Sequence, residues 1–309
     1  MTEASGWYLL GGVTLVSELM LPELPLIEPQ SATSGPVNIR LGSISSQLPG
    51  AVEVDPDCFA TSRQYLLRIP GIASYLASDG RDIVVAPEPG ARQLDVRAYL
   101  LGTVFVILCH QRGMLPLHAS AVAGSQGVVA FLGHSGQGKS SLAAHLAQRG
   151  FPVLADDFCL IDFSASAEAM VIPAAPWLKL WRNSLETLGR PAEGLQRVFS
   201  QDDKYRLPLD SPLHPKPIRT LVFLDSDDDS AFGGSAARLE EVSAVEAIPS
   251  LMELTHHAYV LQAIGRQREN FLHCSRVSSQ AKAYRLVRPW GLEHMQSTLD
   301  AVQRLITEK

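Results

Sequence analysis

The sequence predicts an α/β protein that begins with a small, mainly β region. Two observations indicate this: short strand-like segments broken by prolines dominate residues 1–93, and strands alternate with helices in residues 94–309. The length of 309 residues is enough for about two domains of roughly 150 residues each. We therefore predict two domains, with the boundary between residues 93 and 94.

The composition narrows the classes of protein to consider. Hydrophobic residues make up 46% of the chain and charged residues 19%, so a sizeable core can form and intrinsic disorder of the whole chain is excluded. The formal net charge of -6 provides no overall attraction to nucleic acid or to an anionic membrane. We expect neither of them as a partner.

Three features favour a cytoplasmic location. The first residues, Met1–Ser5, lack the basic character of a secretory signal. The four cysteines are far apart and form no Cys-x-x-Cys pair, which argues against a disulfide scaffold and against a zinc cluster. The longest apolar run, at 98–109, is shorter than the about 20 residues that a membrane span needs.

Turn and cap signals predict the first elements. Asp79-Gly80 is a dipeptide favoured in tight hairpin turns, and a short strand at 81–85 follows it. Residues 94–112 have the apolar pattern of a buried helix, which Gly113 ends. The prolines before residue 60 limit the earlier strands to short lengths.

The central residues predict a compact strand–loop–helix–strand unit. Residues 127–132 form a short apolar strand, residues 141–149 have helical periodicity, and Gly150 ends that helix before a strand at 153–155. The loop between the first strand and the helix is the most informative part of the chain.

Gly133 to Ser140 matches the pattern Gly-x-x-x-x-Gly-Lys-Ser/Thr. Its glycines let backbone N–H groups turn toward a phosphate without a Cβ in the way, and the following helix adds about half a positive charge at its N-terminus. Lys139 supplies a charge for the β- and γ-phosphates, and Ser140 supplies a hydroxyl for Mg²⁺. The alternative is a glycine-rich turn before a helix that happens to carry a lysine. We predict that ATP binds here, through Gly133, His134, Ser135, Gly136, Gln137, Gly138, Lys139, Ser140 and Ser141.

Asp156 and Asp157 end the strand that follows the motif helix. The crossover from Lys139 to Asp156 is short, so we expect this strand beside the strand that precedes the loop, with both carboxylates at one sheet edge. One carboxylate can hold Mg²⁺, and the other can take the proton of an attacking hydroxyl. We assign Asp156 as the base and Asp157 as the Mg²⁺ ligand; the alternative is a solvated strand end that starts a turn.

Four other polar segments are ambiguous from the residues alone. A lone histidine such as His118 is more often a core or turn residue than a catalyst. Lys179 lies in the Pro- and Trp-rich segment 173–181, which is either a packing loop or a loop laid near the phosphates. The basic segment 204–206 is either a phosphate clamp or, as we favour, a solvated basic spot. We assign no role to His256-His257, which has no ligand partner at metal spacing.

Together these residues resemble the catalytic domain of the HPr kinase/phosphorylase family. The matching segments occur in the family's order: 117–122 around His118, then Gly133 to Ser140, then 148–150 and 153–157. The resemblance implies a P-loop serine kinase that depends on ATP and Mg²⁺, with a fold like that of phosphoenolpyruvate carboxykinase. It implies that Lys139 binds phosphate, that Ser140 binds the metal, that Asp156 is the general base, and that His118 is catalytic.

One departure from the family shapes the functional prediction. The Glu-Ile-Arg-Gly motif that follows the Asp pair in the family is absent, so we expect neither the phosphorylase reaction nor HPr as the substrate. The chain looks more like divergent HPr-kinase-related proteins, some of which are similar to kinases of lasso-type ribosomal peptides. We therefore predict transfer of the γ-phosphoryl group of ATP to a serine of a peptide or protein, such as a lasso-type precursor peptide.

Two other functions stay open. The same machinery would serve a small-molecule kinase, which a deep, closed acceptor pocket would favour over an open groove. A nucleotide-binding module without transfer is the third interpretation. Members of the family are often oligomeric, so a homo-oligomer and the role of residues 1–93 also stay open.

Overall fold

The structure, a computed structural model, describes residues 5–31, 35–164, 166–210, 214–224, 236–289, 291 and 294–307. Its contacts divide the chain into two compact units. The first comprises Met1–Met114, Val198–Asp202 and His257–Asn270, and the second comprises Leu115–Arg197, Asp203–His256 and Phe271–Lys309. The main division therefore follows Met114, whereas we had predicted it between residues 93 and 94.

In the first unit, eight described strands form one sheet in the order β1-β2-β3-β8-β7-β6-β5-β4. Asp79 and Gly80 both have positive φ in the turn that joins β7 to β8, so the predicted hairpin is present. The region is mainly β, as the sequence predicts. The strands are β1 (Gly6–Leu10), β2 (Val13–Ser17), β3 (Val37–Leu41), β4 (Val52–Asp55), β5 (Cys58–Ala60), β6 (Gln64–Ile69), β7 (Ala73–Ser78) and β8 (Asp82–Pro87).

A long apolar helix packs on this sheet. It runs without interruption through α1 (Gln93–Tyr99), a π-helical turn (Leu100–Val104) and α2 (Phe105–Gln111). The hydroxyl of Tyr75 on β7 donates a hydrogen bond to the Val96 carbonyl at 2.9 Å. Both residues lie in the first unit, to which the whole helix belongs.

By length and composition, this helix is the one described helix that could cross a membrane. The helix has 19 residues, Gln93–Gln111, and is therefore longer than the apolar run at 98–109. The length of that shorter run was the reason that we expected no membrane span. However, 67% of its apolar window is buried within the structure, as in the core helix of a soluble protein. One mostly buried helix is weak evidence for a membrane span, and the absence of a membrane partner stays a prediction.

The second unit is a mixed α/β structure with a large sheet in the order β12-β10-β11-β18-β14-β13-β9, in which β20 pairs with β18 and β19 with β20. A smaller sheet has the order β15-β17-β16. The strands are β9 (Leu115–Leu117), β10 (Ala119–Ala123), β11 (Val128–Leu132), β12 (Val153–Ala155), β13 (Cys159–Asp162), β14 (Met170–Ile172), β15 (Trp177–Trp181), β16 (Gln196–Arg197), β17 (Lys204–Pro208), β18 (Lys216–Leu224), β19 (Arg238–Val242) and β20 (Lys282–Val287). The helices are α3 (Lys139–Gln148), α4 (Arg182–Thr187), α5 (Ala244–Glu253), α6 (Gln267–Gln280, which begins in the first unit) and α7 (Met295–Thr307).

Both faces of the large sheet are covered. Successive residues of β11 alternate between two core clusters: Ala130 packs in the cluster that contains residues of α5 and α6, and Phe131 packs in the cluster that contains residues of α3 and α7. The strand is therefore apolar throughout, and the polar loop that begins at Gly133 follows the last residue of the strand. This arrangement puts the glycine-rich loop at the carboxyl edge of the sheet.

The strand that carries the Asp pair is not beside the strand that precedes the loop, so that prediction was wrong. β10 lies between them and pairs antiparallel with both β11 and β12. The reason is that β10 and β11 form a hairpin closed by the Gly124 N–H, which donates to the Gly127 carbonyl at 2.7 Å. Since β11 and β12 both run antiparallel to β10, they are parallel to each other, and their carboxyl ends still meet at one edge.

Candidate functional site

The loop from Gly133 to Gly138 joins β11 to α3. Gly136 and Gly138 have φ values of +89° and +78°, which L side chains rarely adopt. A Cβ at Gly138 would lie only 3.2 Å from Nη2 of Arg288. The motif glycines at these two positions are therefore required by the loop's own backbone.

The side chain of Lys139 folds back over this loop. Its Nζ donates hydrogen bonds to the carbonyls of Gly133 and His134, both at 2.7 Å, and only 5% of the residue is exposed. Burial lowers the pKa of Lys139 to about 8, although Asp156 and Asp157 oppose that shift. The ammonium group thus stays protonated at neutral pH, and its acceptors within the described chain are these two carbonyls.

The loop before Lys139 has backbone N–H groups that can bind a ligand. Within the described part of the chain, no acceptor is in hydrogen-bonding geometry with the N–H groups of Ser135, Gly136 or Gly138. Such N–H groups at the N-terminus of a helix favour an anion. The loop therefore has the donors that a phosphate chain requires, which is the fit expected for ATP.

The loop borders a cavity of about 350 Å³ in the second unit. Of the predicted site residues, eight line it: His118, Ser135, Gly136, Gly138, Lys139, Ser140, Ser141 and Asp157. Gly133, His134 and Gln137 line a different cavity, and Asp156 lines neither of the two. The remaining residues around the first cavity are Lys179, Leu180, Trp181, Asn183, Ser184, Lys204, Arg288, Gly291 and Met295.

The two aspartates have different surroundings. Asp156 is buried, and its carboxylate accepts hydrogen bonds from the Ser120 hydroxyl at 2.6 Å and from the Lys179 backbone N–H at 2.7 Å. Asp157 has a φ of +70°, lines the cavity, and forms an ion pair with Nζ of Lys179 at 2.7 Å. The structure thus places Asp157 at the cavity, whereas we had assigned the catalytic role to Asp156. Both residues follow the end of β12, and the left-handed backbone at Asp157 turns the chain there, so the two carboxylates have different surroundings.

The Asp157 carboxylate is held in its ionised form. Burial alone would raise its pKa, but Lys179 and, more weakly, His256 and Lys204 hold the pKa of Asp157 well below its usual range. Lys179 engages Oδ2. The other carboxylate oxygen can accept a hydrogen bond from a ligand in the cavity.

Asp156→Ala should destabilise the fold. It leaves the Ser120 hydroxyl and the Lys179 N–H without their buried acceptor, so we expect the free energy of unfolding to fall by about 2 to 3 kcal/mol. Urea unfolding measures this change, with Asp210→Ala at an exposed position as the control. A loss no larger than about 0.5 kcal/mol, typical of a surface substitution, would contradict a structural role for Asp156.

His118 lies where β9 meets β10. Its backbone N–H donates to the Leu254 carbonyl at 2.8 Å, and its ring stacks on His256 with 4.9 Å between the ring centroids. Burial, helped by the charge of Lys139, lowers the pKa of His118 to about 4. At neutral pH the imidazole is therefore uncharged and faces the cavity as a hydrogen-bonding group.

Several residues of the cavity were not predicted from the sequence or were left open. In the β15–β17 pair, Lys204 is opposite Trp181, and Arg206 is opposite Lys179. Lys179 was left open, and Lys204 was assigned to solvent. Their alternating basic and aromatic pattern is a weak signal for a ligand-facing strand pair. Arg288 follows β20, and nothing in its local sequence distinguishes it.

The cavity carries an excess of positive charge. Lys139, Lys179, Lys204 and Arg288 line it, against the single described carboxylate of Asp157. Among the described residues, no group of three or more His, Cys, Asp or Glu side chains could hold a metal. A Mg²⁺ ion here would need phosphate oxygens and water as ligands beside the Ser140 hydroxyl, which is how Mg²⁺ commonly binds with nucleotides. The cationic and N–H groups of the cavity therefore fit an anion such as a phosphate chain, whose oxygens would supply most of the Mg²⁺ ligands.

The fold and the cavity define a mixed α/β protein with a positively charged cavity at the carboxyl edge of a sheet. No protein-family model matches the chain, and no curated protein matches it either. The solved structures that match include the Hpr(Ser) kinase/phosphatase from Coxiella burnetii, with a TM-score of 0.32 and 14% sequence identity. That match covers 62% of this chain and 96% of the other. Similarity at this level indicates a distant relationship at most.

Proposed function

We propose that the protein is a phosphotransferase that moves the γ-phosphoryl group of ATP to a hydroxyl group. One observation carries the proposal: the Lys139 ammonium, the loop amides and the Asp157 carboxylate border a single cavity. Phosphoryl transfer needs positioning and charge stabilisation more than covalent chemistry. Donors for the phosphates and an acceptor for the hydroxyl proton are the two parts that such a site requires.

Each residue then has a defined task. The amides of Ser135, Gly136 and Gly138 and the Lys139 ammonium bind the phosphates and orient them. The Ser140 hydroxyl holds Mg²⁺, which supplies further charge neutralisation when it is bound. Asp157 accepts the hydrogen bond of the acceptor hydroxyl and takes its proton, while Lys179 fixes the carboxylate. His118 remains uncharged and orients the acceptor through a hydrogen bond.

We propose a serine of a peptide or protein as the acceptor, with a lasso-type precursor peptide as the first candidate. The exposed ring of Trp181, with half of its surface accessible, borders the cavity and offers a peptide an apolar contact. We propose the cytoplasm as the location, since all four cysteines are buried free thiols, as expected in a reducing compartment. Homo-oligomer formation remains a separate prediction.

The proposal is tested by incubating the protein with γ-labelled ATP, Mg²⁺, and panels of serine peptides and hydroxylated metabolites. We expect label to reach a peptide serine, as mass spectrometry would show, and the transfer to stop when Mg²⁺ is chelated. Label on metabolites alone would instead identify a small-molecule kinase. ATP binding without any labelled product would identify a binding module and contradict the proposal.

A further inference from the structure

We infer that Lys204 binds the terminal phosphoryl group of ATP and thereby lets the protein distinguish ATP from ADP. The inference rests on the proposed function. It gives a role to Lys204, which we had predicted to be a solvated basic residue. It depends on the strand pair β15–β17, on the contacts of Lys204, and on its position among the groups of the cavity.

The strand register brings Lys204 to the cavity. Lys204 is opposite Trp181 in the antiparallel pair, so both side chains lie on the same face of the small sheet. Lys179, two residues before Trp181, is on that face too, and all three line the cavity. The ammonium of Lys204 is 5.8 Å from the ring centroid of Trp181, a cation–π distance that orients the side chain.

Lys204 is a cation with no ion-pair partner among the carboxylates of the described residues. Among the described residues, no Asp or Glu oxygen lies within 4.0 Å of its Nζ, whereas Lys179 is neutralised by Asp157. The side chain is half-buried, so its charge is only partly screened by water. A cation held in this way favours an anionic ligand.

The charge of Lys204 acts at the end of the cavity where transfer would occur. Lys204 shares a sheet face with Lys179, whose Nζ contacts Asp157 at 2.7 Å, and both Lys204 and Asp157 line the cavity. Arg288, in contrast, donates to the Gln137 carbonyl at 2.5 Å and lies against Gly138. Lys204 is therefore near the proposed base, and Arg288 is beside the loop backbone.

The loop and Lys204 are therefore expected to contact different phosphates of ATP. The loop amides contact phosphates that ATP and ADP share, because the motif surrounds the β-phosphate, whereas Lys139 reaches the β- and γ-phosphates together. The γ-phosphoryl group must extend from there toward Asp157 for transfer to an acceptor. Lys204 is the cation at that end, so its loss should weaken binding of ATP and leave binding of ADP almost unchanged.

The test is equilibrium titration with MgATP and with MgADP. For Lys204→Met, which keeps an apolar stem over Trp181, we expect ATP to bind at least about tenfold more weakly and ADP to change less than about twofold. Lys204→Arg should retain most of the ATP affinity. Lys282→Met, at an exposed β20 position outside the cavity lining, is the matched control and should behave like the wild type.

The outcomes separate this inference from the proposed function. Equal weakening of ATP and ADP binding by Lys204→Met, or no change in either, overturns the inference while nucleotide binding stands. A wild-type protein that binds neither nucleotide overturns the proposed function and the inference with it. Thermal unfolding of each variant, and a second variant, Lys204→Gln, ensure that a folding defect is not mistaken for a lost contact.

Discussion

Asp157→Asn should lower the rate of phosphoryl transfer by at least about a hundredfold, the lower end of what a general base contributes. Asparagine has nearly the same shape but cannot take a proton from the acceptor hydroxyl. The substitution also removes a negative charge from the cavity that we propose binds ATP, so ATP affinity should stay the same or increase. Single-turnover transfer and nucleotide titration measure the two effects separately.

The matched control for this variant is Asp162→Asn. Asp162 ends β13 on the same sheet and contacts the Ser164 hydroxyl, but it does not line the cavity. The Asp162→Asn variant should transfer the phosphoryl group at the wild-type rate. If Asp157→Asn also transferred at the wild-type rate, Asp157 could not be the base, and His118 would be the next group to test.

Lys139→Met should weaken ATP binding by about a hundredfold, since a charged contact to two phosphates is lost and each tenfold step corresponds to about 1.4 kcal/mol. Lys139→Arg keeps the charge and should retain part of the affinity. Because the pKa of Lys139 is lowered to about 8, its ammonium form declines as the pH rises through 8. Wild-type affinity should therefore fall between pH 7 and pH 9, while the arginine variant stays constant.

Isothermal titration at both pH values checks this prediction. Its control is Lys282→Met, which removes one lysine charge from the same unit outside the cavity lining. That variant should show the wild-type affinity and the wild-type pH dependence. An unchanged affinity in Lys139→Met would contradict the phosphate role of the loop.

Local sequence predicted the local elements of the second unit well. The apolar run before Gly133 forms β11, the helix after Gly138 begins at Lys139, and the strand at 153–155 is β12. Each of these elements depends on periodicity and on glycines within a few residues. The strand order was not predictable in the same way, because the insertion of β10 between β11 and β12 depends on pairing between distant residues.

The site was predicted only where local sequence determines it, and not where it depends on contacts between distant residues. The motif predicts that Lys139 and Ser140 lie in the same site, and both residues line the cavity. The different surroundings of Asp156 and Asp157 depend on a left-handed backbone at Asp157 and on the Ser120 hydroxyl of the inserted strand, so the proposal of Asp157 as the base was not predictable from the Asp pair alone. Lys204 reaches the cavity only through its pairing with Trp181, which lies far from it in sequence.

The central claim is that a triphosphate binds against the loop that precedes Lys139, with Asp157 facing its last phosphorus atom. A crystal structure with Mg²⁺ and a non-hydrolysable ATP analogue tests this most directly. We expect Nζ of Lys139 to leave the carbonyls of Gly133 and His134 and to bind the phosphates, with the N–H groups of the loop on the same oxygens. A nucleotide bound elsewhere, with Lys139 still on those two carbonyls, would contradict the claim.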